Sequence, residues 1–218
     1  MNSFTPQEVA INMYHRGEIP LLCEANEKKP KLTGWKETKY DSEAEVVSLF
    51  SGACNVGWLL QDDQYVIDID DANIARMHTV DLLKKLGIFC NDAVGRKTKP
   101  LGKIFLTSKA GIAEDKRLHP VSKKVIVETL AKGRNAIVPP SSFKGEKFIA
   151  VSNHAFQYEL QTVSPQELKQ AVDLLELLSL LNEYYPSEGN RDNAMLSLCR
   201  LFGLRDEYTS DLVTTFCQ

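Results

Sequence analysis

Tyr65-Val66-Ile67-Asp68-Ile69-Asp70 is an apolar run carrying two aspartates two positions apart. Successive side chains of a β-strand point to opposite faces, so this stretch sends Asp68 and Asp70 to one side and Ile67 and Ile69 into a core on the other. Carboxylates one pleat apart repel each other, and an apolar strand is a costly place for them unless a cation compensates. Hard oxygen ligands of this kind suit Mg²⁺ or Mn²⁺. The plainer alternative for a bare D-x-D is a strand end whose acids meet water.

Upstream, Asn55-Val56-Gly57-Trp58-Leu59-Leu60 reads as a second strand, and the polar Gln61-Asp62-Asp63-Gln64 between the two predicts a β-hairpin. Downstream, an amphipathic helix is expected from Ala72 to Leu86, then strands around Ile104-Phe105-Leu106 and Val125-Ile126-Val127-Glu128. The last turns through Lys132-Gly133-Arg134 into Ala136-Ile137-Val138, which Pro139-Pro140 stops. Before the acid strand, a capping box at Thr5-Pro6-Gln7-Glu8 opens a helix that Gly17 ends. Ile19-Pro20-Leu21-Leu22 reads as a strand, Lys28 to Trp35 as a lysine-rich loop, and Ser42 to Glu45 as a second capping box that opens a short helix through Phe50. The pattern is α+β with a largely antiparallel sheet. At Ser164-Pro165-Gln166-Glu167 a third capping box begins a leucine-rich helix, and the remainder reads as helical. A boundary near residue 160 is expected, with a catalytic-type domain over 1–160 and a small helical accessory domain over 161–218, too small to build much core alone. The ending Thr214-Thr215-Phe216-Cys217-Gln218 has no helix cap and reads as the end of a fragment.

Composition narrows the class. The 218 residues are 43% hydrophobic and 25% charged, which fits a globular domain and excludes disorder. No stretch has the ~18 consecutive apolar residues of a membrane span, and the start lacks a signal-peptide pattern, so an intracellular, cytoplasmic protein is expected. A net charge of -3 argues against coating nucleic acid by bulk charge and leaves local basic patches as the route to it. The five cysteines form no C-x-x-C pair and read as buried apolar residues; the four histidines form no H-x-x-x-H. Gly52 to Gly57 has Walker-like glycine spacing, but Trp58-Leu59 stand where Lys and Ser/Thr are required, which excludes a P-loop.

Two further features bear on the aspartates. Glu128 closes a neighbouring apolar strand and could complete a three-carboxylate cradle for two metals, or could be an exposed strand-end acid. In the run Gly95-Arg96-Lys97-Thr98-Lys99-Pro100-Leu101-Gly102-Lys103, Arg96 to Lys103 places four cations in eight positions with no acid. Such a run is either a solvated face or a triphosphate holder.

Taken in order, these pieces resemble the primase-polymerases of the archaeo-eukaryotic primase superfamily, of the type carried by plasmids, phages and prophages. The resemblance rests on Lys29-Pro30 through Trp35, Asn55-Val56-Gly57, the pair Asp68 and Asp70, Gly95-Arg96, Glu128 and Pro139-Pro140-Ser141. The segment Tyr184 to Asn193 with Leu196 and Leu198 is similar to the small helical domain that follows the catalytic domain in such primases. Two positions depart from the pattern: Lys103 stands where the family usually has a histidine that contacts the incoming triphosphate, and Ser142-Phe143 continues the proline-proline-serine segment where a histidine is common. Lysine keeps the charge but loses the directional imidazole donor.

The resemblance implies a catalytic set of Asp68, Asp70, Glu128 and Lys103, with the three acids holding two Mg²⁺ or Mn²⁺ ions for DNA-templated nucleotidyl transfer from nucleoside triphosphates. Arg96, Lys99 and Lys103 would grip the triphosphate, with Thr98 and Ser141 offering hydroxyls. Lys29, Lys31 and Lys36 would track a single-stranded DNA template while Trp35 stacks on a base or anchors its loop, and Arg191 and Asn193 would add contacts from the helical domain. A helicase would act in the same full-length chain or in trans. Two other readings compete: a non-catalytic module that binds single-stranded nucleic acid or nucleotide, and a metal-dependent nuclease, which has no need of a triphosphate-sized basic loop.

Overall fold

The computed structural model describes residues 4–152, 156 and 159–184. Among them the chain is α+β, with four α-helices and three sheets whose strand pairings are all antiparallel. Helix α1 (Pro6–His15) starts as its capping box dictates: Thr5 accepts from the Glu8 N–H and the Glu8 carboxylate accepts from the Thr5 N–H. In α2 (Glu43–Leu49) Ser42 caps the Glu45 N–H, but the expected reciprocal half of the box is not made: the Glu45 carboxylate reaches one residue further back, to the Asp41 N–H.

Strands β1 (Ile19–Cys23), β2 (Asn55–Leu59) and β8 (Asn135–Val138) form a three-stranded sheet in the order β1-β2-β8. A six-stranded sheet has the order β11-β4-β5-β3-β7-β6, built from β3 (Gln64–Ile69), β4 (Ala93–Arg96), β5 (Lys99–Thr107), β6 (Asp115–Leu118), β7 (Val125–Leu130) and β11 (Ile149–Ala150). β9 (Ser142–Phe143) and β10 (Glu146–Lys147) form a two-stranded ribbon.

The expected hairpin between β2 and β3 is not formed. β2 pairs with β1 and β8, whereas β3 pairs with β5 and β7 in the other sheet. The connection turns a corner instead, and its reason is local. Leu60 donates its N–H to the Arg134 carbonyl and accepts from the Gly133 N–H, so the β2–β3 and β7–β8 connections run side by side and both carry the chain from one sheet to the other. Gln64 fixes the turn by accepting from the Gln61 N–H and from the Trp58 indole. Helix α3 is also shorter than expected, Met77–Lys85 rather than from Ala72. The backbone just before it is tied to strands: the Asp70 and Asp71 N–H groups both donate to the Ile126 carbonyl, and the Ala75 carbonyl accepts from the Leu101 N–H.

Val66, Val94 and Phe105 of the large sheet share one core with Leu21, Val56, Trp58 and Ile137 of the small sheet and with Ala10, Met13, Val46 and Phe50 of α1 and α2. Trp58 stacks on Phe105, ring centroids 5.3 Å apart, and Phe156 packs edge-on against both. Ile67, Ile69, Ile104 and Val127, on the opposite face, are likewise buried. α4 (Pro165–Tyr184) begins at the expected capping box of Ser164 and Glu167 and is tied to that side by Arg117 of β6, which bonds Asp173 at 3.0 Å. Most of the described chain belongs to one compact unit, Met1–Glu176. Among the described residues no helix is long and apolar enough to cross a membrane. The expected helical segment beyond Tyr184, with Arg191 and Asn193, lies outside the described residues.

Candidate functional site

Asp68 follows Val66 by two residues, so it lies on the face that packs against the small sheet, one step beyond the apolar core. Register then decides its neighbours. Lys103 of β5 stands directly opposite on one side and Glu128 of β7 on the other, and Lys116 of β6 lies opposite Glu128. A row of Lys103, Asp68, Glu128 and Lys116 therefore crosses four strands with its side chains on one face.

Each acid in the row has a cationic neighbour. The Lys103 ammonium donates to Asp68 Oδ2, and the Lys99 ammonium stands 4.0 Å from Asp68 Oδ1 and 3.3 Å from Asp70 Oδ1. Lys116 lies 3.4 Å from Glu128. Asp68 and Lys103 are both buried. Burial pushes the Asp68 carboxyl up, but the charges of Lys103 and Lys99, the Lys103 hydrogen bond and the more distant Lys28 outweigh it and hold the group below its ordinary value. Asp68 is thus an ionised carboxylate in a place that would otherwise neutralise it.

The predicted basic loop is a β-hairpin of β4 and β5 turning at Lys97-Thr98. Gly95 is required there: a Cβ would collide with the Pro100 carbonyl oxygen of the returning strand. The hairpin brings Arg96, Lys99 and Lys103 to one cleft with Asp68, Phe148 and Lys28. The cleft is shallow: it encloses about 10 Å³, the room of one water, and about 230 Å³ when the space open to solvent is included. Arg96 lies 3.4 Å from Glu146 and stacks over the Phe143 and Phe148 rings. Lys28 was not singled out by its sequence, because a lysine in a run of three cations in four residues carries no mark of which one turns inward.

The other predicted residues have different surroundings. Thr98 gives its N–H and hydroxyl to Glu146, which ties the hairpin tip to β10. Ser141 is buried, its hydroxyl accepting from the Val56 N–H and donating to the Val56 carbonyl. Lys29 and Lys31 lie in the loop after β1, closed by the Lys31 N–H on the Leu22 carbonyl. Trp35, in a short 3₁₀ turn, is half-buried against the inter-sheet core, with the Lys36 ammonium 5.7 Å above its ring.

Asp68, Asp70 and Glu128 offer only carboxylate oxygens, and the buried member is kept ionised by positive charge, so the residues fit hard divalent cations in chemistry. Among the described residues no three acidic, histidine or cysteine side chains are gathered about one point. Lys99, Lys103 and Lys116 hold the acids instead. No family model matches the chain, and no curated protein matches it.

Proposed function

We propose that this chain is a metal-dependent nucleotidyltransferase of the primase-polymerase kind, which joins nucleotides from nucleoside triphosphates along a single-stranded DNA template. The observation that carries the reading is the placement of Asp68 beside Glu128 on adjacent strands, with Asp70 just past the end of the strand and 3.3 Å from Lys99, next to a cleft lined by Lys28, Arg96, Lys99 and Lys103. Asp68, Asp70 and Glu128 would hold the divalent ions, which when bound lower the pKa of the attacking 3′-hydroxyl and offset charge on the phosphates. The chain's own part is electrostatic and positional. Arg96, Lys99 and Lys103 bind the triphosphate and offset the charge of the departing pyrophosphate. In this reading the C-terminal part of the chain would assist template or initiating-nucleotide binding, and a helicase is the natural partner in replication of an intracellular mobile element.

A second reading has its own support. Lys103 and Lys99 already neutralise Asp68 and Asp70, which suits a module that binds nucleotide or single-stranded DNA without turnover. Incorporation of labelled nucleotides on single-stranded DNA, primed and unprimed, in Mg²⁺ or Mn²⁺, separates the two. Metal-dependent synthesis that falls at least ~100-fold in Asp70→Ala and in Glu128→Ala is the expected result. DNA and nucleotide binding with no incorporation by the unaltered protein would favour the binding module.

A further inference from the structure

Four cations line the cleft, and their partners differ. Lys103 is paired with Asp68, Lys99 with Asp68 and Asp70, and Arg96 with Glu146. Among the described residues Lys28 has no acid partner; its ammonium lies 4.7 Å above the Phe143 ring. Partial burial first, then the charges of Lys103, Lys99 and Arg96, push that ammonium below its ordinary lysine range, with Asp68 opposing them. A cation held among like charges, over an aromatic face rather than a carboxylate, is short of an anion.

The loop that carries Lys28 is built to hold it there. Asn55, buried in β2, donates to the Glu27 carbonyl at 2.7 Å and to the Ser142 carbonyl at 2.6 Å, and accepts from the Ser142 N–H at 2.9 Å. One amide thus fastens the residue before Lys28 and the residue before Phe143 to the same point. Asn135 of β8 donates to the Lys28 carbonyl at 2.8 Å. Gly57 leaves the space that the Asn135 side chain occupies, since a Cβ there would collide with it. The Phe143 ring lies within cation–π reach of Lys28 at 4.7 Å, Lys144 at 5.4 Å and Arg96 at 5.7 Å.

We propose that Lys28 is a phosphate-binding residue of the cleft, which closes on a polyphosphate chain from the small-sheet side while Arg96 and Lys99 hold it from the hairpin. Phe143 and Asn55 are its positioning residues. The cleft encloses room for only about one water, so a polyphosphate chain would lie across its open side, within reach of the lining Lys28. The inference rests on the reading that this cleft takes a triphosphate.

Calorimetric binding of inorganic tripolyphosphate and of dATP, in EDTA and in Mg²⁺, tests it with the full chain, thermal melting confirming that each variant is folded. Lys28→Gln should weaken both ligands about 10-fold or more, Lys28→Arg should stay within about threefold, and Phe143→Leu, which removes no charge, should weaken them about three- to fivefold. Lys124→Gln, an exposed lysine away from the cleft, should bind as the unaltered chain does. If the unaltered chain binds both ligands and Lys28→Gln binds them equally well, the role of Lys28 is overturned while the triphosphate reading stands. If the unaltered chain binds neither ligand in either buffer, that reading falls and this inference with it.

Discussion

Lys103 and Asp68 face each other across β5 and β3 with both side chains largely shielded from water. A buried ion pair gives little net stability compared with an apolar pair, yet removing one member leaves an uncompensated charge, which costs about 3–5 kcal/mol. Lys99 at 4.0 Å and Lys28 remain near Asp68 when Lys103 is removed, so the loss belongs at the lower end. Lys103→Met should therefore destabilise the chain by about 3 kcal/mol in urea unfolding, and adding Asp68→Leu should recover most of it. A double variant as unstable as the single one would mean that the pair is not what Lys103 contributes. The same residue bears on function. Its charge is already engaged by Asp68, so in the proposed function a metal at Asp68 would compete with Lys103 for the same carboxylate.

At the scale of elements, the β4–β5 hairpin presents the cations, and its tight crossing depends on Gly95. Gly95→Ala would force the Pro100 carbonyl away; overpacking of this kind costs about 1–3 kcal/mol. The expected outcome is a lower melting temperature together with weaker tripolyphosphate binding, because Arg96 and Lys99 flank the displaced turn. Unchanged binding in a destabilised variant would show that the hairpin does not set the cleft. Much of this element-level organisation could be read in the sequence. The capping boxes at Thr5 and Ser164 opened helices where expected, since their hydrogen bonds are local. Alternation in Tyr65–Asp70 put Asp68 on one face and Ile67 and Ile69 on the other. Pairing was harder to read. A short polar link between two apolar strands fits a hairpin and a corner equally well, and only Leu60 meeting Gly133 and Arg134, over seventy positions on, decides for the corner. Glu128 beside Asp68 was an expectation from type and order, whereas Lys28 in the cleft depends on amides from β2 and β8 that no local pattern links to it.

The whole molecule sums these charges in its response to pH. Asp68 is held below its ordinary value, so its contribution is complete above the unfolded carboxyl pKa of ~3.9 and is lost as pH falls through the lower folded value. Glu18 and Asp92 have the opposite sign: burial raises both, against Arg16 for the first and against the Phe156 N–H and Arg16 for the second. A raised acid binds its proton more tightly in the folded state, so acidification from neutral pH first stabilises the fold through these two groups. Stability should therefore rise on moving from pH 7 toward the mildly acidic range and then fall below about pH 4, where Asp68 begins to resist protonation. Melting temperatures across pH 2–8 check this. Asp92→Asn should flatten the rise, because the amide needs no proton to sit in the same place, and Asp68→Asn should flatten the acid fall while lowering stability at pH 7. A fall of the same steepness in Asp68→Asn would assign the acid loss to exposed carboxylates such as Glu114, held low by Arg134, and would mean that the Asp68 pair is uncoupled from the stability of the fold.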